Sequence, residues 1–248
     1  ESHQNMDAIA MVKPITKWAQ SIVDEETIPE VVRKAFKLAE AEKPGVCVIE
    51  LPEDVAKQQV KGRPMKVYKT RRPAADHKAV AQAVNVITHA KRPIILAGNG
   101  AVRKRAAKQL RRLAHKTGIP VVNTFMGKGS VPMDDKHCLF TMGLQSKDHI
   151  NHALDACDVV ITVGYDLVEY SPSFWNANQD KAIVNIDFQP AEVDIHYTVA
   201  VDVVGDIADA LWQINMELER SHAGDLPLFD IDRWLRVRQA ILDDFAME

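Results

Sequence analysis

The chain has 248 residues, 46% of them hydrophobic and 26% charged, enough for one large soluble globular domain or for one domain and part of another. Its 31 basic and 34 acidic residues give a formal charge of -3, so no basic excess recruits nucleic acid or an anionic membrane surface, and a small molecule or a protein is the expected partner. No apolar run reaches the roughly 20 residues that span a bilayer, and Glu1-Ser2-His3-Gln4-Asn5 has neither the basic nor the apolar stretch of a secretion signal.

The first strong signal is Thr27-Ile28-Pro29-Glu30, which has capping-box spacing with Pro in the first turn, followed by Ile28, Val31, Ala35 and Leu38 at helical intervals. Lys43-Pro44-Gly45 closes this helix. Val46 to Pro52 then reads as a buried parallel strand bounded by Gly and Pro, a helix-to-strand unit whose preceding partners are missing. From Glu53 to Ala75 the pattern dissolves into charged and polar residues without a sustained period, which predicts an interdomain linker.

Beyond the linker, helices and strands alternate. A helix over Asp76 to His89 carries Val80, Val84 and Ile87 on one face and precedes the strand Pro93 to Ala97. A helix from about Val102 to Lys116, a strand Pro120 to Thr124, a helix near Lys147 to Ala156 and the run Val159 to Val163 follow. The strands Ala182 to Ile186 and Val201 to Val204 lead to a helix with Ile207, Leu211, Ile214 and Leu218 on one stripe. Strands this apolar need cover on both faces, so the fold class is α/β, a doubly wound parallel sheet with a partial α/β domain at the N-terminus. Residues 221 to 230 read as a loop, and Trp234, Leu235, Ile241, Leu242 and Phe245 as one amphipathic helix whose partner is absent.

Such sheets bind ligands at the carboxyl ends of their strands. Gly98-Asn99-Gly100 follows a strand and is either a tight turn or a phosphate-binding loop, without the third glycine of the dinucleotide fingerprint. Thr124-Phe125-Met126-Gly127-Lys128-Gly129 is either an ordinary glycine loop or a ligand cover in which Lys128 answers a negative charge. Asp187 stands where an acid accepts ribose hydroxyls, or caps the turn at Gln189-Pro190, and Gly205-Asp206 reads first as a helix N-cap. The basic run Arg103-Lys104-Arg105 to Arg112 lies opposite Val102, Ala106, Leu110 and Leu113, a solvated helix face. Cys47, Cys138 and Cys157 show no Cys-x-x-Cys pairing and read as reduced thiols in a cytoplasmic protein, with Cys47 and Cys157 in segments that look buried. Nine histidines show no metal-ligand spacing, so no structural metal site is expected.

Taken together, Ser2 to Asp7, Lys13-Pro14-Ile15-Thr16-Lys17, Arg92-Pro93-Ile94-Ile95, Pro120 to Gly129 and Val184 to Glu192 resemble, in that order, the acetolactate and acetohydroxyacid synthase family of thiamine-diphosphate enzymes, over nearly the whole chain. The resemblance implies that residues 1–52 end a pyrimidine-binding domain, 53–75 are a linker, 76–220 form a Rossmann-like central domain, and 221–248 lead towards a pyrophosphate-binding domain. It implies condensation of two pyruvates to 2-acetolactate with loss of carbon dioxide, thiamine diphosphate and Mg2+ as cofactors bound outside this chain, and a homo-oligomer. The family's activating glutamate would lie upstream and its Gly-Asp-Gly magnesium motif downstream. The chain, which begins without Met, is therefore expected to be an inactive piece of a longer polypeptide.

By the same resemblance, Lys13 matches a basic residue beside the substrate channel and is the candidate to meet a pyruvate carboxylate, a solvated surface lysine being the alternative. Flavin-binding members cradle FAD with loops matching Gly98 to Gly100, Thr124 to Met126, Gly143 to Gln145, Gly164 to Asp166, Asp187 and Gly205 to Asp206. Where those members carry Arg-Phe-Asp-Asp-Arg, this chain has Tyr165-Asp166-Leu167-Val168-Glu169-Tyr170, without either arginine. That loss of two cations, and the continuation Ser171-Pro172 and Phe174-Trp175-Asn176, are similar to the flavin-independent catabolic members, so FAD is expected to be absent or not required. The alternative is a non-catalytic module that binds FAD or ADP at this nucleotide-type site.

Overall fold

The computed structural model describes residues 6–68, 71–143 and 150–247. Ser2 to Asn5, Leu144-Gln145 and the start of the helix expected from Lys147 lie outside the described residues. The chain divides into two compact units, Glu1–Arg71 and Arg72–Glu248.

In the first unit, a short helix α1 (Ala8–Val12) precedes strand β1 (Trp18–Ser21), helix α2 (Ile28–Glu40), strand β2 (Cys47–Glu50) and helix α3 (Glu53–Ala56). The strand expected after Gly45 does have a partner. β2 pairs in parallel with β1, from Trp18 opposite Cys47 to Ser21 opposite Glu50. Trp-Ala-Gln-Ser hides this because it has no β-branched residue and no alternation. The capping box is also not made. Asp24 accepts the Glu26 N–H at 2.9 Å and starts a 3-10 turn that runs into α2, while the Thr27 hydroxyl donates to the Asp24 carbonyl at 2.6 Å. Ile22, Val31 and Val55 form a small core with Trp18, Ile28 and Ile49, so the start of the expected linker is folded as α3. Cys47 is half-buried rather than buried.

The second unit is a six-stranded, all-parallel sheet in the order β5-β4-β3-β6-β7-β8. Its strands are β3 (Pro93–Ala97), β4 (Val121–Thr124), β5 (Cys138–Met142), β6 (Val159–Val163), β7 (Ala182–Asp187) and β8 (Val199–Val204). Starting from β3, the chain winds outward to one edge, returns beside β3 with β6, and winds to the other edge, the order of a doubly wound nucleotide-binding sheet. One face packs under helices α4 (His77–His89), α5 (Lys104–Thr117) and α8 (Ile207–His222). The other packs under α6 (Asn151–Asp155), α7 (Pro172–Trp175) and α9 (Asp232–Met247). Successive strand residues serve opposite faces, Ile95 and Ala97 towards the first cluster, Ile94 and Leu96 towards the second, and all four are fully buried. At about 1.5–3 kcal/mol for each buried Ile or Leu side chain, such central strands carry much of the stability of the sheet.

The helices begin where small acids can accept their first N–H groups. Asp76 takes the Ala79 N–H at 3.1 Å for α4, and Asp206 the Asp209 N–H at 3.0 Å for α8. Between Gly98 and α5 the chain makes a 3-10 turn, Asn99–Val102, so the helix expected from about Val102 begins at Lys104. α5 ends at Gly118, whose φ of +78° is the left-handed C-cap that favours glycine. On its solvent side, Arg112 and Lys116 pair with Glu219 of α8.

Two features depart from the sequence-based expectation. β5 was not expected, because no helix separates it from β4 and the alternation that marks the other strands is missing there. α9 does have a partner in this chain. Trp234 and Ile241 are buried in the cluster that contains Leu139, Phe140 and Met142, and Arg238 donates to the carbonyls of Cys138 at 3.2 Å and Met133 at 2.9 Å. The Arg238 guanidinium also lies 4.7 Å from the Phe140 ring centre. Among the described residues, no helix is long and apolar enough to cross a membrane. Trp234→Ala, which empties the largest α9 anchor, is expected to lower the unfolding free energy of the second unit by about 3–5 kcal/mol in urea or guanidinium titrations.

Candidate functional site

The strand order reverses between β3 and β6, and there the loops leaving the two strands touch backbone to backbone. Gly98 N–H donates to the Val163 carbonyl at 3.0 Å and Gly100 N–H to the Gly164 carbonyl at 2.8 Å. A Cβ on residue 98 would stand 2.5 Å from the Gly164 carbonyl oxygen, and one on residue 100 would stand 2.7 Å from the Gly164 Cα. Gly164 itself has φ +55°. These glycines are therefore required by the close approach of one loop to the other, before any ligand is considered.

The loop after β6 then delivers a carboxylate to this junction. The Glu169 N–H donates to the Asp166 carbonyl at 2.9 Å, closing a turn, and the side chain reaches back towards β3 and β4. Glu169 accepts the Asn99 N–H at 3.0 Å and the Thr124 hydroxyl at 2.5 Å, and the Thr124 oxygen in turn accepts the Gly127 N–H at 2.9 Å. Glu169 is only 7% exposed. Burial pushes its carboxyl above the usual range, and the hydrogen bonds from Thr124 and Asn99 only partly pull it back. In a doubly wound sheet, the N–H groups of this first turn are the ones that hold a nucleotide phosphate. Here the chain supplies its own carboxyl group.

Beneath the junction, Tyr165, Trp175 and Tyr197 form a buried aromatic group with ring centres 5.7–6.2 Å apart. The Tyr165 hydroxyl donates to the Tyr170 carbonyl and accepts the Trp175 Nε1–H at 3.3 Å, which fixes the path of the loop that carries Glu169. Burial pushes both tyrosine hydroxyls far above their usual range, so they act as neutral hydrogen-bonding groups.

Of the residues singled out from sequence, Gly98, Gly100, Thr124 and Gly164 meet at this junction. Met126 lies beyond Thr124 with its side chain largely exposed, as does Lys128. Asp187 and Asp206 stand one and two strands further along the sheet. Asp187 accepts the Phe188 N–H at 2.5 Å. Asp206 is the N-cap of α8 and also binds Arg72 at 2.8 Å. The guanidinium groups of Arg72 and Arg103 lie 5.8 and 5.2 Å from the Phe188 ring centre. Lys13 belongs to the first unit, where it is exposed and its N–H closes α1 on the Ile9 carbonyl. Glu169, the charged group at the centre of the junction, was missed, since an acid six residues beyond a strand carries no local signature. Glu169→Ala leaves the Asn99 N–H and the Thr124 hydroxyl without an acceptor and is expected to cost about 1–3 kcal/mol in chemical denaturation. Glu169→Gln, which keeps an acceptor oxygen, should cost less.

The family model described as thiamine pyrophosphate enzyme, central domain, matches residues 80–214. Acetolactate synthase of Bacillus subtilis is 33% identical over all of this chain and 44% of its own length. The catabolic acetolactate synthase of Raoultella terrigena is 32% identical over 88% of this chain and 39% of its own, and glyoxylate carboligase of Escherichia coli O157:H7 is 31% identical over 92% and 39%. The X-ray structure of a proposed thiamin diphosphate-dependent enzyme from Mycobacterium smegmatis superposes with a TM-score of 0.72 at 24% identity, over 86% of this chain and 41% of that one, and shares its fold. The chain spans less than half the length of each of these relatives. It belongs to the thiamine pyrophosphate enzyme family, and the sheet that carries the Glu169 junction is the central domain of that family.

Proposed function

We propose that this chain is part of an acetolactate synthase that condenses two pyruvate molecules to 2-acetolactate with loss of carbon dioxide, and that its central domain is a flavin-free scaffold. The similarity to acetolactate synthases, a catabolic one among them, supports the reaction. The observation that carries the flavin-free reading is the Glu169 carboxylate on the Asn99 N–H. The turn N–H that would meet a diphosphate is already taken by a buried carboxyl group, and the three glycines around it are already packed against one another.

Residues 1–52 are read as the end of the pyrimidine-binding domain and residues 76–220 as the central domain, with 221–248 leading towards the pyrophosphate-binding domain. Lys13 is the residue proposed to meet a pyruvate carboxylate. Thiamine diphosphate is the cofactor of the family, and Mg2+ is proposed to accompany it in the complete enzyme. Gly205-Asp206 does not fit a magnesium–diphosphate site, because one Asp206 oxygen caps α8 and the other holds Arg72. No step of the reaction is assigned to it. The complete enzyme is proposed to be a cytoplasmic homo-oligomer, inactive if reduced to this span.

A second reading, a module that binds ADP or FAD, is favoured by the two guanidinium groups beside Phe188 at the end of β7, a cationic and aromatic pairing suited to a nucleotide. The complete polypeptide, given pyruvate, thiamine diphosphate and Mg2+ without flavin, is expected to form acetolactate and to show no stoichiometric flavin absorbance. Activity only after FAD is added would overturn the flavin-free reading. Calorimetric binding of ADP without carboligation would favour the second.

A further inference from the structure

The end of α5 and the connection into β5 bring together three side chains that no part of the proposed reaction uses. His115 lies in the last turn of α5, and Asp135 and His137 flank Lys136 just before β5. Asp135 Oδ2 is 2.6 Å from His115 Nε2, and Asp135 Oδ1 is 3.0 Å from His137 Nδ1. One ligand atom from each residue lies within 4.8 Å of the other two. The centres of the two rings are 4.7 Å apart, with an angle of 33° between their planes.

From this geometry we propose that His115, Asp135 and His137 form a structural binding site for a borderline divalent cation of the Zn2+ or Co2+ type, with water completing the coordination. Two imidazole nitrogens and one carboxylate oxygen match the ligand chemistry of such ions and not that of Mg2+, which takes oxygen ligands. Tetrahedral bonds of about 2.0–2.1 Å place ligand atoms about 3.3 Å apart, so closure asks for shifts on the order of an ångström.

The protein already holds two of the three ligands in place. His137 is 4% exposed, and its N–H donates to Asp135 Oδ1 at 2.9 Å. The Asp135 N–H donates to the Pro132 carbonyl at 3.1 Å, and the His137 carbonyl accepts the Val121 N–H at 2.7 Å. The third ligand is open, with the His115 side chain 53% exposed, which gives the ion access from solvent. A bound ion would fasten the end of α5 to the start of β5, joining segments 20 residues apart in sequence.

The test is a Co2+ titration of the untagged, EDTA-treated protein, followed by displacement with Zn2+. The expected result is one equivalent of Co2+ with visible bands of tetrahedral coordination, bleached by Zn2+, and a higher Tm with Zn2+ than with EDTA. His115→Ala, at an exposed position, should keep the native circular dichroism and weaken binding about tenfold or more. His77→Ala, an exposed histidine outside the cluster, should bind as the parent does. Should His115→Ala fold poorly, Asp135→Asn provides the same comparison. Absence of stoichiometric Co2+ binding, or equal binding by a folded His115→Ala or Asp135→Asn protein, would overturn the proposal.

Discussion

The close approach of Gly98 and Gly100 to Gly164 is the constraint on which the centre of this fold rests. Any side chain at these positions would meet backbone atoms of the opposite loop, so the two halves of the sheet can join at β3 and β6 only through bare backbone. Joining them this way directs the Asn99 N–H and the Thr124 hydroxyl into the gap, and buried polar groups need partners. Glu169 supplies one acceptor group to both. The cost of burying its carboxyl is partly offset by these hydrogen bonds, and the loop Tyr165–Tyr170 is fixed by its own aromatic packing so that the carboxyl arrives where it is needed.

The same arrangement changes how the glycine pattern should be read. Glycines after the first strand of a doubly wound sheet are commonly associated with a dinucleotide, and the sequence left the tight turn and the cofactor loop open as equals. The structure gives these glycines a purpose inside the protein. The turn N–H at Asn99 is taken by an acidic side chain of the chain itself.

The central strands β3, β6 and β7 were legible in the sequence because cover on both faces leaves predominantly apolar runs between turn residues. The amphipathic helices α4, α5 and α8 were legible for the matching reason, one apolar stripe each. β1 and β5 were not, since one is short and mixed and the other follows a connection without a helix. The junction was legible only in its glycines and Thr124. Glu169 became part of it through a loop that folds back across two strands, and the grouping of His115 with Asp135 and His137 arises from packing between segments whose spacing follows no local rule.

The position of α9 has a consequence for where the chain can be cut. β5 is an edge strand, and an uncovered parallel edge is a template for pairing with another chain. Arg238 occupies the carbonyls of Met133 and Cys138 beside that edge, and Trp234 with Ile241 covers its apolar face. A polypeptide ending before Asp232 would retain all six strands but lose this guard, leaving Leu139, Phe140 and Met142 open to intermolecular association.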